Sequence, residues 1–313
     1  MARKFAQVVT RLVLPQVLAL SACDKGPPRT DAPPAASAGT KAVSVADSGP
    51  PEARVVSATG SRSVYQLVEA AKGGFEARHP GVSIQLVAGG SKKGLADVTS
   101  GAALVGDTDL FAPDDVKGKL VDHKIAVVGF AAVANKGRYN ERVTALSLQD
   151  LAGVFSGRIT DWKALGGTAQ KIVVINRDPG SGARTVFGNV VLGGDGFADA
   201  ADFEADAAKL IGRLRATPGA ITYMALSFDA HDLLTLGLKT PSGVVSPSSA
   251  NIVSGAYPIW SYEHMYTNGQ PGGPVAALVD YMVSDDFQLG VLPKLGGFIS
   301  ISQMRVSRSA DGK

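Results

Sequence analysis

A strand, a turn built of glycine and serine, and then a helix recur three times along this chain, and that recurrence restricts the fold more than any other feature of the sequence. Val55 and Val56 read as a strand, Thr59-Gly60-Ser61-Arg62-Ser63 as a turn, and Val64, Leu67, Val68, Ala71 and Phe75 follow at helical spacing. Ser61 or Ser63 is suited to cap that helix. Val82, Ile84 and Leu86 then alternate as a strand, Gly89-Gly90-Ser91-Lys92-Lys93-Gly94 turns the chain, and a short helix reaches about Ser100. A smaller strand, Ala102 to Val105, ends in Gly106-Asp107-Thr108-Asp109. In the second half, the apolar run from Lys171 to Ile175 leads through Asn176 to Arg184, and Val186, Phe187, Val190 and Val191 continue as a helix. Alternation of this kind predicts α/β architecture.

The chemistry of such turns lies at the helix N-terminus. Free backbone N–H groups and the positive end of the helix dipole face the turn, which makes it an anion site. Glycine lets the backbone approach closely, and serine adds a hydroxyl. One such turn is usually only a connector. Three of them, with Arg62, Arg177 and Arg184 inside or beside them, point to convergence on one anion.

Composition removes several alternatives. The 313 residues are 45% hydrophobic and 19% charged, as expected of a globular chain with two domains. No apolar run reaches the ~18 residues of a membrane-spanning helix. One cysteine excludes an internal disulfide framework, a four-cysteine zinc site and an iron–sulfur cluster. Arg3, Lys4 and Arg11 precede Cys23 with no acidic residue among them, and beyond them 28 basic residues face 28 acidic ones. That balance argues against a nucleic-acid binder.

The basic opening, the short apolar stretch Leu12 to Leu20 and the sequence Leu20-Ser21-Ala22-Cys23 match a secretory signal ending in a bacterial lipoprotein box. Residues 1–22 are therefore expected to be a signal peptide, and Cys23 to carry lipid that anchors the protein to a membrane on the periplasmic side or at the cell surface. Residues 23–53, rich in Pro, Ala, Ser, Gly and Thr, read as a tether without a core. Residues 304–313 read as a polar tail.

Gly60-Ser61-Arg62-Ser63, Gly89-Gly90-Ser91, Gly106 to Asp109, Asn176-Arg177 and Gly180 to Arg184 together resemble the periplasmic phosphate-binding proteins of ABC importers. Phe155 to Lys163, Ala216 to Ile221 and Asn251 to Pro258 add to the resemblance, which runs from about Arg54 to Ile301. It implies a two-lobed, type II-like clamshell with two hinge strands, near Val127 to Ala134 and Ile259 to Thr267. Lobe I would comprise 54–129 and 259–303, and lobe II 130–258. It further implies a non-enzymatic, cofactor-free, metal-free binding protein, monomeric, whose partners are phosphate or a similar tetrahedral oxyanion, the membrane subunits of an ABC permease, and the membrane through Cys23.

The resemblance carries over Ser91, Asp109, Arg177, Ser181 and Gly182 as ligand residues, and Ser61, Arg62, Ser63, Lys92, Gly180 and Arg184, in the same turns, complete the candidate ligand set. Arg177 offers a planar, permanently charged fork. Asp109 suits an anion that carries a hydrogen: HPO₄²⁻ can donate to it and sulfate cannot. Asp109 equally suits a turn cap. Arg62 stands where the family commonly has a threonine and Lys92-Lys93 where small residues are usual, while Pro179 and Ala183 replace an acid and a threonine. The two basic departures either enter the cleft as added cations or lie on the surface. A serine hydrolase is the enzymatic alternative, but neither Ser91 nor Ser181 sits in a G-x-S-x-G frame, and no Walker pattern is present. A degenerate clamshell acting as a sensor or adhesion module is the third reading. His79, His123, His231 and His264 lack metal-ligand spacing and read as solvated or capped imidazoles.

Overall fold

The computed structural model describes residues 54–193, 196–198 and 203–309. The signal segment, Cys23 and the tether lie outside the described residues. Along the chain run β1 (Arg54–Gly60), α1 (Arg62–Arg78), β2 (Val82–Ala88), α2 (Ser91–Ser100), β3 (Val105–Thr108), α3 (Asp114–Lys117) and β4 (Leu120–Ala134). Then follow β5 (Ala145–Leu146), α4 (Leu148–Phe155), β6 (Val173–Val174), α5 (Gly182–Val191), α6 (Ala207–Ala216) and β7 (Ala220–Ala225). The rest comprises β8 (Leu234–Thr235), β9 (Gly237–Thr240), β10 (Gly243–Val245), α7 (Ser249–Val253), β11 (Trp260–Asn268), α8 (Gly273–Val283), α9 (Asp285–Gln288) and β12 (Phe298–Ile299).

The main sheet has the order β2-β1-β3-β11-β4-β7-β6, and β4 is the strand that joins its two halves. Leu120 to Gly129 pairs antiparallel with β11, whereas Phe130 to Ala134 pairs with β7. In the first half β1 lies parallel to β2 and β3, the arrangement that connecting helices impose. α1 covers it with Val64, Leu67, Val68, Ala71 and Phe75, all fully buried and all on the stripe that sequence periodicity predicts. Each of these except Ala71, which buries only a methyl, contributes roughly 1.5–3 kcal/mol by leaving water. In the second half Leu210 and Leu214 of α6 pack on Ile175 and Met224, and Phe187 stacks on Tyr223 with ring centroids 4.5 Å apart.

The two halves meet where β4 crosses. The Phe130 N–H donates to the Ile259 carbonyl at 2.8 Å, and the Leu226 N–H to the Gly129 carbonyl at 2.9 Å. The buried Tyr257 hydroxyl donates to the Phe130 carbonyl at 2.9 Å. The crossing of β4 and the start of β11 thus lie side by side, each satisfying the other's backbone.

Three expectations change. The strand before Asp109 is Val105–Thr108, not Ala102 to Val105. The apolar run 171–175 yields only the two-residue β6, because Lys171 bridges to Asp161 and Asn176 bridges to Phe203. The C-terminal segment is not a loose tail as far as Ser309. The Arg305 N–H donates to the Val253 carbonyl at 3.0 Å. Arg308 donates to the Pro258 carbonyl at 2.7 Å and to that of Trp260, and lies 4.2 Å from the Trp260 ring centroid. Burial lowers the pKa of its guanidinium from the ordinary value, a cost that the two carbonyls and the indole face offset. Arg308 therefore straps the segment that enters β11. Replacing it with alanine is expected to cost ~2 kcal/mol, from hydrogen bonds to a charged donor worth ~1.5–3 kcal/mol. Urea unfolding would measure it, and an unchanged midpoint would show the strap to be dispensable.

Candidate anion-binding cleft

Each of the three turns ends in a serine placed at a helix N-terminus. Ser61 is the N-cap of α1, its Oγ accepting from the Ser63 N–H at 3.2 Å. Ser91 is the first residue of α2. Ser181 is the N-cap of α5 and accepts from the Arg184 N–H at 3.3 Å. All three serines are buried and line one cavity of about 80 Å³ together with Arg62, Ser63, Asp109, Arg177 and Gly182. The walls are completed by Phe130, Ala225 and Phe228. Space of that size holds a species of a few heavy atoms, given that one water takes up ~30 Å³ of liquid.

Asp109 is the fixed point of the site. Its Oδ1 accepts from the Ser61 and Ser63 hydroxyls, both at 2.6 Å, and its Oδ2 from the Ser91 hydroxyl at 3.0 Å. Its backbone is held as well: the N–H donates to Ser91 Oγ at 3.1 Å, and the carbonyl accepts from the Ser261 hydroxyl at 2.6 Å. A carboxylate has about four lone-pair positions, so three serine donors leave one on Oδ2.

The two lobes touch at glycines. A Cβ on Gly182 would stand 2.1 Å from Asp109 Oδ2 and 2.3 Å from Ser91 Oγ. Gly90, at φ +88°, would carry one 2.9 Å from the Gly180 carbonyl. Only glycine permits the N-termini of α2 and α5 to approach this closely.

Arg177 is buried. Its Nε donates to the Glu204 carbonyl at 3.2 Å and Nη2 to the Ala205 carbonyl at 3.3 Å, which leaves further donors of the five-donor fork for a guest. Desolvation lowers its pKa, with Tyr223 and Asp178 acting the other way. Asp178 itself accepts from the Gly180 N–H at 2.9 Å. Arg62 lines the cavity and reaches Asp206 at 3.8 Å, spanning from the start of α1 to the N-cap of α6. That pair is partly exposed and therefore weak.

Three anticipated ligand residues do not line this cavity. Lys92 is exposed and, with Pro179 and Arg184, borders a separate surface depression. Arg184 folds back on its own lobe, Nη1 donating to the Arg177 carbonyl at 3.0 Å and the guanidinium stacking 4.2 Å from the Phe197 centroid. Gly180 faces the other lobe, its carbonyl accepting from the Lys92 N–H at 3.2 Å. Lys93 is tied to Asp97 at 2.7 Å, and that contact holds Asp97 below its usual value. The histidines are dispersed, and His264 is fully buried with its ring capped by Asp122, Nδ1 lying 2.6 Å from Oδ1. Ser91 contacts a carboxylate with no imidazole between them, and Ser181 serves as a cap; neither has the base a nucleophile requires.

Two buried acids beside the cleft escaped the sequence reading as site residues, Asp107 and Glu263. The signal for Glu263 was present: a charge set among Tyr262, Met265 and Tyr266 in a run otherwise suited to a central strand.

Comparison with known proteins agrees with this geometry. A family model described as a PBP superfamily domain matches residues 33–286. The phosphate-binding protein PstS of Bacillus subtilis is 38% identical over 260 residues, covering 82% of this chain and 83% of that protein. Among solved structures, a substrate-binding protein from Clostridium perfringens assigned to phosphate ABC transport and solved with bound phosphate aligns with TM-score 0.70 at 24% identity, over 79% of this chain and 100% of the other. An ABC-type phosphate transport receptor from Vibrio cholerae aligns with TM-score 0.65 at 20% identity, over 78% and 99%. The chain belongs to the PBP superfamily, in the family of PstS-type substrate-binding proteins of phosphate ABC transporters.

Proposed function

We propose that this protein captures inorganic phosphate between its two lobes and delivers it to the membrane subunits of an ABC importer, acting as a binding protein and not as an enzyme. The observation that carries this reading is the Asp109 carboxylate: three serine hydroxyls from two helix N-termini orient it, and one acceptor position remains at a small cavity shared with Arg177 and three helix N-termini. Backbone N–H groups and Arg177 draw the anion in. Asp109 then demands that the anion bring a hydrogen. HPO₄²⁻ meets that demand, while sulfate would set a bare oxygen against a carboxylate in a site closed to water.

The ligand set of this proposal is Ser61, Ser63, Ser91, Asp109, Arg177, Ser181 and Gly182, with Arg62 at the rim. Lobe I would be 54–129 with 259–303, and lobe II 130–258. Opening about the crossing at Gly129 and Phe130 would separate Ser91 and Asp109 from Gly182, and closure around the ion would present a continuous surface to the permease. A monomer anchored through lipid on Cys23, with residues 23–53 as tether, completes the reading. The lipoprotein box supports it.

Titration calorimetry at neutral pH is expected to give phosphate binding with sulfate weaker by about 10⁴-fold; equal affinity for the two would overturn the role given to Asp109. Asp109→Asn should weaken phosphate by about 10–100-fold, the value of a charge-assisted hydrogen bond, while improving sulfate relative to it. Gly182→Ala places a methyl where Asp109 and Ser91 stand, so the lobes cannot close. Phosphate affinity should fall by about 100-fold or more, ~2.8 kcal/mol, and small-angle scattering should detect no compaction with ligand.

A further inference from the structure

Glu263 is fully buried beside the cleft, and neither of its carboxyl oxygens receives a hydrogen bond. The β3–β11 register sets Met265 opposite Asp107 and His264 opposite Thr108, so the next step brings Glu263 opposite Asp109. On its other side the β11–β4 pairing shifts register between Glu263 and His264, a bulge of the kind that re-aims a side chain. The polar groups acting on Glu263 are Asp109 itself and Ser63, the serine bound to Asp109 Oδ1. The Ser63 hydroxyl is already engaged with Asp109 and Ser61 and is not free to satisfy a second carboxylate.

Among the described residues, only the Ser63 hydroxyl favours a charge here, and burial and two neighbouring acids oppose it. Asp107 from β3 and Asp109 just after it both act on Glu263; Asp107 is itself 2% exposed with an unpartnered Oδ1. From β4, Ala126 stands opposite. From α1 comes Ser63. α2 sends Ser91 to Asp109, while its Lys93 is held by Asp97. Among the described residues, these acids are not arranged to hold a metal ion. A carboxylate at Glu263 would be a bare buried charge next to two other acids, an arrangement far more costly than a neutral acid.

We infer that Glu263 is a positioning residue that keeps its proton in the folded protein, so that the acid cluster under the cleft presents the single negative charge of Asp109 to the guest. With the proton on Glu263, the repulsion between two adjacent carboxylates is removed. The acceptor position that the three serines leave on Asp109 stays open and requires a hydrogen from the ligand. The binding role of Glu263 rests on the phosphate reading above; its protonation does not. Burial, reinforced by the Asp109 charge, raises the Glu263 pKa well above the ordinary carboxyl range, and burial with Asp109 does the same for Asp107.

The sign of the consequence is fixed. A group that binds its proton more tightly when folded loses stabilisation as pH rises from the unfolded value, about 4.3 for glutamate, toward the folded one, at up to tenfold in the folding constant per pH unit. Glu263→Gln removes that loss. Urea unfolding of the ligand-free protein from pH 5 to pH 8 should therefore show the variant gaining on the wild type as pH rises. Asp107→Asn should gain separately. Parallel curves for wild type and Glu263→Gln would overturn the inference.

The binding half is read by calorimetry with inorganic phosphate across the same range and into the alkaline. Glu263→Ala, which leaves a void behind Asp109, should weaken phosphate by about tenfold or more, and Glu263→Gln, a neutral side chain of the same size, by no more than about fivefold. Wild-type affinity should decline at alkaline pH as Glu263 ionises, and this limb should be missing in Glu263→Gln. Superimposable pH profiles would make Glu263 merely structural and overturn its positioning role. A wild type that binds no phosphate at any pH, with diverging unfolding curves, would instead reject the phosphate reading and leave the retained proton standing.

Discussion

A buried carboxylate must find donors, and Asp109 finds them at the ends of helices. Ser61 and Ser63 belong to the start of α1 and Ser91 to the start of α2, so satisfying one acid fixes two helix N-termini about a common point. The second lobe brings α5 to the same point because position 182 is glycine, with no side chain to hold the lobes apart. The cleft is therefore a consequence of how Asp109 is solvated by protein. Remove the carboxylate, and the serines that line the cavity lose what orients them.

The depth of sequence legibility differs from element to element for physical reasons. The buried stripe of α1, from Val64 to Phe75, is readable residue by residue because helical periodicity is local. The capping by Ser61 and Ser181 is readable too, since a serine hydroxyl bonds within its own turn. Side-chain direction at the rim is not local. Arg184 looks like a ligand residue by position, yet it lies on Phe197 and Phe203, which come from a different stretch of chain. Lys92 sits one residue from Ser91 but on the solvent side of the helix start.

Strand length and terminal anchoring are similarly non-local. The run 171–175 looks like a full strand, but β6 keeps only two residues because bridges to Asp161 and Phe203 claim its ends. The segment after Gln303 has the composition of a tail and is nonetheless fastened by Arg308 over Trp260. Glu263 is the instructive case for the site. Its strand was recognisable as a hinge crossing, and a lone acid among aromatic residues was visible there. Its position opposite Asp109 depends on β3–β11 register, which no single-sequence pattern supplies.

The charge balance of the cleft explains why the departures from the family pattern at Pro179 and Ala183 are tolerable. Arg177 and Arg62 face Asp109 and Asp178 around the cavity, and Arg62 is also drawn to Asp206. What remains is the backbone: three helix N-termini, each equivalent to about half a positive elementary charge, give about +1.5 directed at the cavity. An alanine at position 183 loses a hydroxyl but keeps its amide in the first turn of α5, and a proline at 179 precedes the N-cap without touching that turn's donors. Attraction for an oxyanion is thus carried mainly by main-chain dipoles, which substitution leaves in place. In the proposed reading, discrimination among oxyanions falls to Asp109 and the acid behind it, where a change of one proton alters the local charge as much as two helix ends do.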